Sequence, residues 1–239
     1  MDNNTEKRLL NIVKSNYDII GKHFSETRKK EIWPELKKIA KQVEENSKIL
    51  DLGCGNGRLL RAFDSKNLEY FGIDQSESLI EEAMKQFPND HFLVGDILDL
   101  SKIDLKKNKL PKKFNFIFSI AVLQHIPGKK KRIEFLRTLK NYLEPDGVIV
   151  FSNWNMWEIP KYKKLVYRTF FLKILRKNSL DFGDVLFDWK NSKGETVSQR
   201  YYHAFRKYEL RSLFKKAGYK VRKNYKDKFN FYTILSIKT

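Results

Sequence analysis

Apolar residues follow two rhythms along this chain, and the change between them divides it. Over residues 5–45, Leu9, Ile12, Val13, Tyr17 and Ile20 recur at helical spacing on one stripe. A second helix is expected over residues 34–43, because proline is tolerated in a first helical turn. From residue 48 short apolar runs alternate with helical stretches. Residues 48–52, 70–74, 91–94, 114–118 and 148–151 read as strands. Helices are expected from the glycines after residue 52 through Phe63, after Ser76 or Ser78, and over residues 129–143. Ser78 and Glu81 stand at capping-box spacing, and residues 144–147 (Glu-Pro-Asp-Gly) read as a turn.

The rhythm then breaks. Residues 155–199 carry aromatics and lysines without a clear strand and read as an insertion. Order returns with a helix over residues 206–216 and strands over 219–224 and 231–237. Strands and helices alternating in this way predict an α/β domain. Its expected core is a seven-stranded, mostly parallel sheet with helices on both faces, closed by a C-terminal antiparallel hairpin. The expectation is one domain over residues 1–239, with an N-terminal helical cap (1–45) and a basic aromatic insertion (155–199).

Candidate chemistry centres on Asp51-Leu52-Gly53-Cys54-Gly55-Asn56-Gly57, between a predicted strand and a predicted helix. Glycines let a backbone turn sharply and approach a ligand closely. In open α/β sheets ligands lie beyond the carboxyl ends of strands, where this loop falls. Dinucleotide folds use a related loop, but a carboxylate two residues before the first glycine would repel a pyrophosphate. Asp51 suits the ammonium of a methionine moiety instead, so S-adenosyl-L-methionine is the expected cofactor. Asp74 ends the second strand, where a carboxylate can accept ribose hydroxyls. Gln75 follows it. Asp96, after the third strand, suits the adenine amino group, with Ile97 packing on the ring; the competing readings are a helix-capping Asp74 and a turn-forming Asp96.

With these residues in place, residues 48–151 resemble the class I methyltransferases, whose fold is Rossmann-like. The resemblance implies that Phe118-Ser-Ile-Ala121-Val-Leu-Gln-His125 lines the methionine end of the cofactor, with Cys54 merely a small loop residue. Four segments narrow it to the tRNA carboxymethyluridine methyltransferases, which esterify a modified wobble uridine. These are Tyr17-Asp-x-Ile-x-x-His-Phe-Ser-x-Thr-Arg28 with Trp33-Pro34, the Ala121–His125 stretch, Asn153-Trp154, and Arg200-Tyr201-Tyr202-His203-x-Phe205. Arg28 and Arg200 can hold a carboxylate or phosphate through a planar fork. Trp33, Trp154, Tyr201 and Tyr202 offer faces for an unstacked base, and His125 and His203 offer hydrogen bonds. Arg28, His125, Arg200 and Tyr201 are therefore the candidate catalytic residues. Trp33, Trp154, Tyr202 and His203 are the candidate substrate contacts. Family members in eukaryotes work with a small zinc-binding activator, a candidate partner here.

Charge sharpens the choice of substrate. A net charge of +19 in 239 residues, and a pI near 9.8, favour a polyanionic partner such as tRNA. A basic stretch over residues 161–177 holds no acid and interleaves lysines and arginines with Tyr162, Tyr167, Phe170 and Phe171. Phosphate neutralisation, packing over the core and membrane-surface binding are open to it. A small-molecule methyltransferase acting on a quinone or polyketide acceptor, with His125 as base, stays open too. So does a non-catalytic cofactor-binding RNA module. The single cysteine excludes an internal disulfide and a cysteine-based zinc site, and no metal is expected. The polar N-terminus resembles no signal peptide and the apolar runs are short, so a cytoplasmic protein without membrane contact is expected.

Overall fold

β1 (Lys48–Leu52) sends successive side chains to opposite faces, and both faces are buried. Ile49 joins Leu36, Leu59, Ile80, Phe118 and Val150 on one side, while Leu50 and Leu52 join Phe71, Leu136, Phe151 and Leu213 on the other. A strand covered twice belongs inside a sheet with helices on each face. The computed structural model describes residues 1–27, 32–63, 66–190 and 194–238, with side chains except at 18, 20–27 and 190. In it β1 pairs in parallel with β2 (Glu69–Asp74) and β4 (Phe114–Ile120). β2 pairs likewise with β3 (His91–Val94), and β4 with β5 (Leu143–Trp154). β9 (Asn230–Ile237) runs antiparallel to β5, and β8 (Tyr219–Lys226) antiparallel to β9, giving the strand order 3-2-1-4-5-9-8. α2 (Pro34–Ala40) and α3 (Glu77–Gln86) cover one face. α4 (Lys129–Leu139) and α6 (Lys207–Lys216) cover the other.

The expected sheet is therefore present, and three local expectations are corrected. The glycine loop opens into a 3-10 turn, Arg58–Ala62, not a full α-helix. Residues 144–147 bulge from within β5, because Leu143 pairs with Phe114 while Val148 pairs with Phe116. Residues 155–199 are far from strandless: α5 (Pro160–Ile174) is followed by β6 (Asp184–Lys190) and β7 (Thr196–His203), an antiparallel ribbon separate from the main sheet.

The ribbon was hard to read because both of its faces are covered. Val185, Phe187 and Tyr202 pack with Trp154, Met156 and Val166, whereas Leu186 and Tyr201 pack with Leu9 and Val13 of α1 (Asn3–Thr27). Two covered faces erase the apolar–polar alternation that marks a short strand. Among the described residues no helix is long and apolar enough to cross a membrane.

Candidate functional site

The carboxyl ends of β1, β2 and β4 open into a cavity of about 420 Å³, closed on one side by Leu10, Val13, Lys14 and Tyr17 of α1. The glycine loop forms its floor. Gly53, Gly55 and Gly57 have φ of 75°, 56° and 72°, the left-handed region that side chains disfavour. At Gly53 space is short as well, since an added Cβ would stand 2.4 Å from Cγ2 of Val122. The backbone N–H groups of Gly53 and Cys54 donate to the Ile73 carbonyl at 2.7 and 3.2 Å, tying the loop to β2.

Asp51 is a buried acid of the floor. Its Oδ2 accepts from the Tyr70 hydroxyl at 2.6 Å, and its buried Oδ1 has no partner among the described residues. Burial pushes the carboxyl up to about 7; the Asp74 charge adds to this, while the Tyr70 hydrogen bond and Arg58 oppose it. Asp74 accepts from the N–H of Gly55 through Oδ2 and of Ser76 through Oδ1, both at 2.9 Å. Asp96 caps the turn beginning at Ile97, accepting from the Leu98 N–H at 2.8 Å. Cys54 is buried, and burial holds its thiol well above the ordinary value, an environment for an inert cysteine.

The far wall follows β4. Ala121 has φ of 60°, costly for a residue with a Cβ, and its N–H is held by the carbonyl and Oγ of Ser152 at 2.9 and 3.1 Å. Gln124 accepts from the Trp154 N–H at 2.8 Å and leaves its Nε2 without a partner. His125 packs 4.4 Å from Tyr202, with Nε2 3.0 Å from the Tyr17 hydroxyl and Nδ1 3.2 Å from the Tyr201 carbonyl. A carbonyl only accepts, so Nδ1 carries the proton and Nε2 accepts from Tyr17. Burial lowers this imidazole to about 4, with the Arg200 charge adding to the effect, so it is neutral at pH 7.

Most of the candidate residues converge here. Asp51, Gly53, Cys54, Gly55, Asn56, Asp74, Gln75, Asp96, Ile97 and Ala121 line the cavity, as do Trp33, His125, Trp154 and Tyr202. Leu52 does not: strand alternation turns its side chain into the opposite core. Arg28 lies outside the described residues. The lining residues Leu10, Lys14 and Arg58 were not among the candidates.

The Arg-Tyr-Tyr-His element divides between the two faces of β7. Tyr201 and His203 turn away from the cavity into a buried network. The Tyr201 hydroxyl donates to Asp184 at 2.8 Å and accepts from Arg132 at 3.1 Å. The His203 nitrogens lie 2.6 Å from Asp184 and 2.8 Å from Glu209. Burial alone would raise Asp184, but His203, Arg132 and Tyr201 hold it below the usual carboxylate range. This network fastens the ribbon to α4 and α6, which is a structural task. Tyr202 faces the cavity and stacks with Trp154 at 5.1 Å and Phe187 at 5.3 Å.

Arg200, on the same face of the strand as Tyr202, is 4% exposed and stands 3.6 Å over the Trp189 ring. It is absent from the cavity lining itself. Among the described residues its Nε and Nη2, the two donors of a side-on fork, have no hydrogen-bond partner.

Comparison with known proteins adds three findings. A family model described as a methyltransferase domain matches residues 24–224. A tRNA (carboxymethyluridine(34)-5-O)-methyltransferase of Schizosaccharomyces pombe is 27% identical, over 91% of this chain and 92% of its own length. A protein of the same name from Saccharomyces cerevisiae is 34% identical over 58% of this chain, which spans under half of that relative's length (46%). Among solved structures, a SAM-dependent methyltransferase of Methanosarcina mazei shares the fold (TM-score 0.66, 21% identity, 88% of this chain and 100% of that one). So does a Haloferax volcanii complex of a methyltransferase with the Trm112 methyltransferase activator (TM-score 0.64, 18% identity, 95% and 98%).

Proposed function

The chain belongs to the methyltransferase domain family, and from that premise we propose that it uses S-adenosyl-L-methionine to methylate the carboxylate of a carboxymethyl-modified wobble uridine in tRNA. The residues fit the cofactor. The unpartnered Asp51 Oδ1 suits its ammonium, and the left-handed glycines leave the space a Cβ would fill. Asp74 suits the ribose hydroxyls, Asp96 the adenine amino group, and Ile97 with Leu98 the ring. When bound, the cofactor supplies an electrophilic methyl group on sulfur.

The observation that carries the acceptor is the Arg200 fork. A buried guanidinium with both side-on donors unpaired is a costly arrangement unless an anion completes it. Two parallel N–H donors match a carboxylate, and Trp154, Tyr202, Phe187 and Trp189 stand around it to receive a base. A carboxylate is already ionised at pH 7, so methyl transfer to it releases no proton and needs no general base. Arg200 would orient the attacking oxygen while the aromatic walls exclude water. His125, with Nε2 engaged by Tyr17, serves as wall and positioning group rather than base, which weighs against the small-molecule reading. Tight binding by a non-catalytic RNA module would need no such fork next to the cofactor cavity. A small activator subunit, as in the Haloferax complex, is a partner to test by assaying the chain alone and with that subunit.

The deciding experiment incubates host tRNA with the protein and methyl-labelled cofactor, then analyses the nucleosides by mass spectrometry. Label in a methyl ester at a wobble uridine is the expected result. Arg200→Ala should lower turnover at least about a hundredfold with cofactor affinity unchanged, as loss of a paired charge at a reacting group implies. Label confined to another nucleoside, or full turnover by Arg200→Ala, would overturn the assignment.

A further inference from the structure

A second hollow, of about 380 Å³, opens beside the first. Trp154 lines the cavity and Trp157, three residues on, lines the hollow, so the two lie within about 10 Å along the backbone. Lys163 and Tyr167, one turn apart on α5, form one side of it, and Arg206 and Lys207, at the N-terminus of α6, form another. Lys226 also lines it but is paired with Glu158, the one acid of the lining, which leaves Lys163, Arg206 and Lys207 as the excess cations. The α6 N-terminus adds partial positive charge of its own. Trp157 is held in place, its Nε1 donating to the Ala204 carbonyl at 3.0 Å and its ring lying 4.3 Å under the Arg206 guanidinium. Tyr167 stands edge-on to Trp157 at 6.0 Å and is 45% exposed.

We propose that this hollow is an RNA subsite, holding a phosphodiester and a base of the single-stranded segment next to the methylated nucleotide. The inference rests on the tRNA reading above and deepens it. Uncompensated cations around a concave surface attract phosphate, and an exposed ring among them gives a base a face to lie on, the pairing by which single-stranded nucleic acid is held. The two hollows flank one stretch of chain, so a polynucleotide can present its reacting base to the cavity and its neighbour to the hollow. Lys163 and Lys207 bind phosphate, and Tyr167 stacks the base. None of the three touches the cofactor cavity.

Three variants, Lys163→Glu, Lys207→Glu and Tyr167→Ala, test the subsite through tRNA affinity, measured by filter binding across a salt series, and through methyl transfer. Cofactor affinity, expected at the wild-type value, verifies folding. Each lysine variant should weaken tRNA binding about tenfold and reduce the slope of log K against log salt by about one. Tyr167→Ala should weaken binding about fivefold or more with the slope unchanged. In turnover the losses should fall on KM for tRNA, leaving kcat within about twofold. Wild-type affinity and slope in all three variants, with wild-type protein still methylating the wobble uridine, would overturn the subsite and leave the function standing. A wild-type protein that transfers no methyl to tRNA would remove the function itself.

Discussion

Asp51 shows how a single residue couples protonation to ligand binding. Its carboxyl titrates near 7 in the folded chain against an ordinary value of 3.8, because burial leaves Oδ1 without a partner. Between those values the unfolded chain gives up its proton first, so this residue makes the cofactor-free protein less stable as pH rises from about 4 to 7. A ligand ammonium reverses the preference by favouring the ionised form. Cofactor affinity, measured by calorimetry from pH 5.5 to 8, should therefore rise about tenfold per unit until pH 7 and then level off. Asp51→Asn should bind weakly and without that slope; a sloping profile in the variant would assign the titration to another group. Ala121 illustrates a residue whose role local pattern conceals. Its left-handed backbone follows from the Ser152 hydrogen bonds 31 positions away, and nothing in its neighbours signals it. The glycine loop and Asp74 were legible because strand, turn and acid lie within a few residues of one another.

At the scale of elements, the β6–β7 ribbon is held by charge as much as by packing. Arg132 from α4, Asp184 from β6, His203 from β7 and Glu209 from α6 meet in one buried network. Asp184 and Glu209 are both held below the usual carboxylate range, burial working against this and His203 and Arg132 prevailing. Groups depressed in this way stabilise the fold above about pH 4, and that stabilisation is lost as pH falls through their lowered values. Hydrogen exchange should show β6 and β7 losing protection on acidification before β4 does. Asp184→Asn, which strands the buried Arg132 charge, should cost about 3–5 kcal/mol in urea denaturation. Simultaneous loss of protection across both sheets in acid would show that the network is not what fastens the ribbon. Arg200-Tyr-Tyr-His is legible in the sequence as a motif whose four residues are expected at one site. Pairing with β6 is invisible there, and with it the fact that alternate residues face opposite ways.

For the molecule as a whole, the seven-stranded sheet was readable because its strands alternate with helices at regular spacing, and each buries an apolar run. The ribbon and the second hollow were not, since both arise from contacts between segments far apart in the chain. A net charge of +19 predicts that tRNA affinity falls at least about a hundredfold between 50 and 200 mM salt, as neutralised phosphates release their counterions. A flat salt profile would mean that the charge serves some other purpose. The ribbon itself has a further consequence. Among the described residues it pairs with no strand of the main sheet, and it enters the chain between α5 and α6, so its replacement leaves the register of all seven sheet strands intact. The stretch carrying Arg200 and Tyr202 can thus be exchanged as a cassette, provided Asp184, Tyr201 and His203 travel with it to meet Arg132 and Glu209. Acceptor choice and methyl-donor use are then free to evolve on separate schedules within one small protein.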